Sequence, residues 1–509
     1  MKQLLRKLVL FMVVAVLGLG TMAGCSDAQS PAALNAPTTN LSVPTFEQDL
    51  NFNVWADVPA NPQVAEYLRV YKEAGFTHYN LTEDWVFMTN ADQKFNGGAE
   101  GTDDGVLNKK YLDAIALCQE LGLNVLIRNQ YGDSDFFVND DDSVRQAAYP
   151  WNYTYQIPVR NVTTQLTELG VNGYYMGDEP SWQEVLEYDK LVDWYNTNGG
   201  NTLWHMNLLQ SYGAFLFEDA EGNMYNYEQY VDHYCENVLE KVNGPKTLGT
   251  DYYPLVSGGL SADPYIMQGL LSDYFVIANK TKEMILDGHD VRTNFCIQSY
   301  ENPKNTGAGY VRELTSQADI TFQTNLAIAF GTKSLQYYTY RAYGSDPGIV
   351  DGSSHEPGKM YPWVQNANAY AHFLADAILN FSWQGAKVYA GQQGGNTTDK
   401  YNVQAFADVQ KYVLNNFALI SKVTARLDTV VSEFKDANGN LGYMFVNYSE
   451  PSKGLTGDVI MNFSNKINKA LVIQNGQKSV VDVTNNKLRI TLEAGGGAFV
   501  YPVYDGSVA

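Results

Sequence analysis

Between residues 51 and 380, short strand-like runs alternate eight times with longer amphipathic segments. The runs are 51–58 (NFNVWADV), 76–81 (FTHYNL), 123–128 (LNVLIR), 171–176 (VNGYYM), 202–208 (TLWHMNL), 247–253 (TLGTDYY), 291–299 (VRTNFCIQS) and 332–340 (TKSLQYYTY). Each intervening stretch carries the 3.6-residue apolar period of a helix, and several end on glycine, as at Gly75, Gly122 and Gly170. A period that switches between 2 and 3.6 eight times in succession predicts a (β/α)8 barrel, assigned here to residues 45–381. The competing architectures are a doubly wound open sheet and the two-lobed fold of solute-binding lipoproteins, which rarely count to eight units in a row. In the segment opening at Ser181, Glu184 stands three residues on, the spacing of a capping box.

From residue 382 to 509 the pattern changes to two-residue alternation, as in GYMFVNYS, DVIMNFS, KALVIQN and KLRITLEAGGGAFVYPVY. Asn-Gly and Gly-rich turns separate these runs, which predicts a small antiparallel β-sandwich. One further helix is expected ahead of it, over 418–427.

The N-terminus carries Lys2, Arg6 and Lys7, then an apolar run from 8 to about 20, then Thr21-Met22-Ala23-Gly24-Cys25. This order predicts a secretory signal over 1–24, and the apolar run is short for a membrane span. The Ala-Gly-Cys ending resembles the lipobox of bacterial lipoproteins, which implies cleavage before Cys25, a lipid on its sulfur and attachment to the outer face of the cell membrane. Residues 25–44 read as a flexible tether. The formal net charge of −22 argues against nucleic acid as a partner, because phosphate binding needs clustered cations. Cys118, Cys235 and Cys296 lie far apart in apolar contexts and read as buried free thiols. No Cys-x-x-Cys or His-x-x-x-His spacing occurs, so neither a metal nor a cofactor is expected.

A barrel of this kind does chemistry at the C-terminal ends of its strands. Carboxylates, amides and aromatics crowd those positions: Trp85 after the second strand, Tyr131 after the third, Asp178 and Glu179 after the fourth, His205, Asn207 and Gln210 on and after the fifth, Asp251 and Tyr252 at the sixth, Gln298, Tyr300 and Glu301 at the seventh, and Tyr340 and Arg341 at the eighth. Planar polar groups bond hydroxyls, rings stack on sugar faces and acids move protons, which is the chemistry of a carbohydrate pocket. Trp363 is a further stacking candidate.

The segment Tyr174-Tyr175-Met176-Gly177-Asp178-Glu179-Pro180 resembles the fourth-strand motif of clan A retaining glycosidases, where Asn-Glu, often followed by Pro, supplies the acid/base. Asp178 stands where the Asn is usual. The stretch from Arg312 and Glu313 through Gln323 and Ala327-Ile328-Ala329-Phe330-Gly331 to Tyr337 is similar to the pattern before the eighth strand in family 42 β-galactosidases. Asp251-Tyr252-Tyr253-Pro254 matches an Asp-x-Tyr-Pro found in barrel glycosidases. These resemblances imply a glycoside hydrolase of extracellular oligo- or polysaccharides, retaining, with Glu179 as general acid/base. The clan's nucleophile ends the seventh strand, where Glu301 is the first choice; Asp251, on the sixth, is the second, and at a longer spacing from Glu179 it would imply inversion instead. Gln298 occupies the alternative position, and if it faces the mouth, Glu301 faces away unless the strand has ended or bulged. The substrate contacts expected are Asp178, Trp85, Tyr131, His205, Tyr252, Tyr300, Tyr340, Arg341 and Trp363. The other reading is a non-catalytic glycan-binding surface lipoprotein on a barrel scaffold.

Overall fold

The computed structural model describes residues 52–57, 59–82, 109–128, 168–198, 201–257, 264–302, 304, 311–342, 347–392, 411–464 and 467–503. The signal, Cys25, the tether, Trp85 and Tyr131 lie outside the described residues.

The strands β1 (Asn53–Ala56), β2 (His78–Thr82), β3 (Asn124–Arg128), β4 (Gly173–Asp178), β5 (Leu203–Asn207), β6 (Lys246–Asp251), β7 (Val291–Gln298) and β8 (Ser334–Tyr338) form one parallel sheet. Its order is β1-β8-β7-β6-β5-β4-β3-β2, the ring of the predicted (β/α)8 barrel. The last seam, β1 against β2, is bridged by Thr77 N donating to Val54 O at 2.9 Å and by Val54 N donating to Thr77 Oγ1 at 2.8 Å. The described helices are α1 (Ala65–Glu73), α2 (Lys109–Glu120), α3 (Trp182–Asn198), α4 (Tyr227–Asn237), α5 (Pro264–Leu286), α6 (Gln317–Ala329) and α7 (Tyr361–Ile378). None of them is long and apolar enough to cross a membrane. The glycine stop after α1 adopts φ +88°, a left-handed exit that a Cβ disfavours.

The main apolar core lies between strands and helices, where β-strands covered on both faces read as continuous apolar runs. The barrel interior is different. A small apolar group of Trp55, Leu126 and Leu203 sits apart from that core. Around it the buried side chains are polar and bonded to one another, as where Ser334 Oγ donates to Asn294 Oδ1 at 2.8 Å. Cys118, Cys235 and Cys296 are buried free thiols, as expected.

The chain then enters two antiparallel sheets. One has six strands in the order β15-β14-β17-β12-β11-β9, and the other three in the order β10-β13-β16. Their members are β9 (Phe381–Tyr389), β10 (Ile420–Ala425), β11 (Thr429–Asp436), β12 (Leu441–Asn447), β13 (Gly457–Phe463), β14 (Lys469–Gln474), β15 (Gln477–Asp482), β16 (Lys487–Leu492) and β17 (Gly497–Val503). The helix expected over 418–427 is not there: Ile420–Ala425 is strand β10, paired with β13 across a register shift. The apolar spacing Leu419, Ile420, Val423, Leu427 mimics a helix face. Pairing against β13 outweighs it, because Ile420, Val423 and Thr424 are β-branched and suit a pleated, half-buried surface.

Barrel and sandwich are fastened through α6 and α7. Arg312 NH2 pairs with Asp319 at the start of α6 and with Glu450 Oε1, after β12, at 2.9 Å. Asn325 Nδ2 donates to Gly495 O at 2.9 Å and Tyr370 hydroxyl to Gly497 O at 3.2 Å.

Candidate active site

Strand β4 shifts register against β5 between Tyr175 and Gly177. Such a bulge re-aims the side chains that follow it. Gly177 is required here, since a Cβ would come within 2.2 Å of the Tyr188 hydroxyl. Asp178 closes the strand, and Glu179 follows with φ +52°, a left-handed backbone that is uncommon outside glycine. Fixed bonds hold it there. Glu179 N donates to Asn207 O at 2.8 Å, and the Tyr230 hydroxyl donates to Pro180 O at 2.6 Å. The capping box forms as expected, with Ser181 N donating to Glu184 Oε2 at 2.7 Å and Glu184 N to Ser181 Oγ at 3.3 Å.

Glu179 lies against Asp251, the last residue of β6. Burial pushes the Glu179 carboxyl up, the charge of Asp178 adds to this, and hydrogen bonds with Gln210 and Asp251 oppose it. Burial pushes Asp251 up further, with the charges of Glu179 and Asp178, against a hydrogen bond from Tyr253. Two carboxyls in one low-dielectric place do not both ionise readily, so burial and neighbouring charge favour the protonated form of each.

A directional hydrogen-bond network lies beneath. The Gln336 amide donates to Asp57 Oδ2 at 2.7 Å and to the Tyr175 hydroxyl at 3.2 Å. Tyr175 in turn donates to Asp178 Oδ1 at 2.7 Å, which also accepts from Asn207 Nδ2 at 3.1 Å. Because the Gln336 nitrogen is used, its oxygen faces His205 Nε2 at 3.0 Å, so that nitrogen carries the proton. His205 Nδ1 meets Thr247 Oγ1 at 2.7 Å, and Trp55 and Tyr175 pack edge-on against the ring.

The geometry corrects several expected contacts. His205 is fully buried with both nitrogens engaged inside the barrel, out of reach of a substrate. Glu301 does not face the mouth. Its Oε2 accepts from Leu314 N at 2.9 Å and pairs with Lys359 Nζ at 2.8 Å, so this carboxylate fixes the segment leading into α6. Gln298 spends its amide on the Leu255 backbone, at 3.0 and 3.2 Å, and on Tyr300 O at 3.2 Å. Tyr252 turns toward α5, where its hydroxyl abuts Gly269. The alternating neighbour Tyr253 instead shares the side of Asp251. Tyr340 is buried against Tyr71 and Phe76. Arg341 donates from Nε to Pro59 O at 3.1 Å, and Trp363 packs part-buried against the outer core. Tyr300 does cluster at the strand ends, with Tyr253 and Tyr338 at ring separations of 5.3 and 5.2 Å.

Two features of the mouth went unread. Asp57 directly follows β1 as a buried carboxylate, in a place that the strand-end rule covers, and Asn80 Nδ2 also donates to it at 3.1 Å. Tyr212 overhangs the acid pair from the loop after β5, where burial of its hydroxyl and the charge of Asp251 push the phenol up. Around the mouth Asn80 Oδ1, Asn207 Oδ1, Gln210 Oε1 and Asp251 Oδ1 are buried without a partner among the described residues. Such groups are costly to hold unless water or a ligand engages them. Among the described residues no group of three or more His, Cys, Asp or Glu side chains is arranged to hold a metal ion.

No protein-family model matches the chain, and no curated protein matches it. Solved structures similar to it include a family 39 glycoside hydrolase from Bacteroides cellulosilyticus WH2, at 12% identity and TM-score 0.46, over 89% of this chain and 80% of that one. A family 27 β-L-arabinopyranosidase from Geobacillus stearothermophilus is similar at 11% identity and TM-score 0.45, over 90% and 97%. α-Galactosidase I from Mortierella vinacea is similar at 7% identity and TM-score 0.46, over 92% and 100%. At these scores the likenesses assign no activity to this chain.

Proposed function

We propose that this protein hydrolyses glycosidic bonds with net retention, Glu179 acting as general acid/base and Asp251 as nucleophile. One observation carries the reading: a glutamate in left-handed backbone is held against a second buried carboxyl at the C-terminal mouth of a barrel. Backbone held in a sparsely populated conformation concentrates at functional sites. The adjacency of the two carboxyls is the basis for reading retention, since an inverting pair stands further apart to admit a water.

The first step needs the proton on Glu179 and Asp251 as carboxylate, the form that the neighbouring Tyr253 hydroxyl favours. Asp251 attacks the anomeric carbon as Glu179 protonates the departing oxygen, giving a glycosyl ester. Glu179, now ionised, takes a proton from water, whose oxygen displaces Asp251. Asp178, Asn207 and Asn80 stand ready to bond the sugar hydroxyls, and the tyrosines 253, 300 and 338 offer ring faces.

The test is a panel of 4-nitrophenyl glycosides and di- to hexasaccharides of glucose, galactose, xylose, mannose and arabinose. We expect hydrolysis in which the first-formed anomer, followed by proton NMR, keeps the substrate's configuration. Inversion removes Asp251 as nucleophile. Binding of sugars without any cleavage leaves the protein a glycan-binding barrel.

The site of action belongs to the same proposal. The lipobox-like Ala23-Gly24-Cys25 supports an extracytoplasmic enzyme tethered to the cell membrane by a lipid on Cys25. Cys25→Ala is expected to release the protein from the membrane fraction or to leave its signal uncleaved. Unchanged processing and retention would count against lipidation.

A further inference from the structure

The loop after β5 holds a feature that the acid pair does not explain. Residues Ser211–Leu216 form a 3-10 turn. Side chains three residues apart eclipse in such a turn, so Tyr212 and Phe215 project from one side. Both are exposed, Tyr212 by 53% and Phe215 by 71%. Large apolar side chains left bare beside a catalytic mouth mark a surface that something covers.

The turn is built and held. Ser211 N donates to Asp273 Oδ2 at 2.8 Å, and Asp273 is fully buried on α5. Gly213 N donates to Gln210 O at 2.8 Å, and the Tyr212 ring stands edge-on to Tyr252 at 5.2 Å. The same turn adjoins the acids: Gln210 lies beside both Glu179 and the Tyr212 hydroxyl, and that hydroxyl feels the charge of Asp251. Tyr212 therefore links the turn to the acids, with Phe215 on the same side of the turn.

Resting on the proposed glycosidase reading, we infer that Tyr212 and Phe215 form a second sugar subsite, which stacks a neutral ring adjacent to the ring being cleaved. Apolar faces of a pyranose fit such rings. A uronate is disfavoured, because Asp57, Asp178, Glu179 and Asp251 already crowd the mouth with carboxyl groups and Glu218 and Asp219 follow the turn. The preferred substrate is thus a neutral oligo- or polysaccharide rather than a monosaccharide glycoside or an acidic glycan.

The test compares wild type with Phe215→Ala on 4-nitrophenyl monosaccharides and on neutral oligosaccharides of two to six units. The ratio of kcat/KM for the oligosaccharide to that for the aryl glycoside is expected to fall roughly three- to tenfold, the size of one lost aromatic contact. Phe215→Tyr, which keeps a ring, should hold the ratio within about twofold. Phe215 is exposed, so neither change threatens the fold. An unchanged ratio in Phe215→Ala overturns the subsite while leaving the enzyme standing. Preference for a uronic-acid oligomer over its neutral counterpart also overturns it. A wild type that cleaves no glycoside overturns the parent reading, and this inference with it.

Discussion

Glu179→Gln is expected to lower kcat by about 10²- to 10⁴-fold on substrates with poor leaving groups, the span that a positioned general acid supplies. Glutamine keeps the size and one acceptor but has no proton to give. Activated aryl glycosides, whose phenolates leave almost unaided, should lose far less in the bond-breaking step. Burial and the charge of Asp178 raise the Glu179 carboxyl, so wild-type activity should fall as pH rises through that elevated value. The alkaline limb should vanish in the variant. Equal losses on both substrate types, or an unchanged alkaline limb, would remove Glu179 from this role.

The second large effect is on stability. Asp273 is buried on α5, and burial lifts its carboxyl from 3.8 to about 8, against the hydrogen bonds from Ser211. A folded-state value above the unfolded one means that the native protein binds the proton more tightly. The stability held below pH 4 is therefore lost progressively as pH rises toward 8, at about 1.4 kcal/mol per unit. Asp273→Asn keeps an acceptor for Ser211 and cannot ionise. It should match wild type near pH 4 and be more stable by roughly 2–4 kcal/mol at pH 7, the lower figure allowing for an amide proton left without an acceptor. Urea midpoints from pH 4 to 8 decide it, and parallel curves for the two proteins would refute it.

The barrel was legible because its signal is long: eight changes of period leave few topologies. The position of Glu179 at the barrel mouth was legible because Gly-Asp-Glu-Pro follows the fourth strand. Glu301 misled, since an acid at a strand end looks the same in sequence whether it faces a substrate or, as here, Lys359 and the Leu314 amide. Parity held the clue to tyrosine choice: Asp251 and Tyr253 alternate onto one face and Tyr252 onto the other. Asp57 was open to the same rule at the first strand. Asp273 and the turn carrying Tyr212 were not legible, because a helix and a loop far apart in sequence define each other only when packed.

The fastening of barrel to sandwich bears on how such a chain is inherited. A β-domain joined only through a linker is exchangeable, and recombination can swap it for another. Here Gly497 lies where a Cβ would come within 2.6 Å of Asn325 Oδ1, and Glu450 helps to neutralise Arg312 at the head of a barrel helix. A foreign sandwich would have to bring both the missing side chain and the matching acid. The two parts are thereby bound to diverge together, and a drift in one should be traceable as a compensating change in the other.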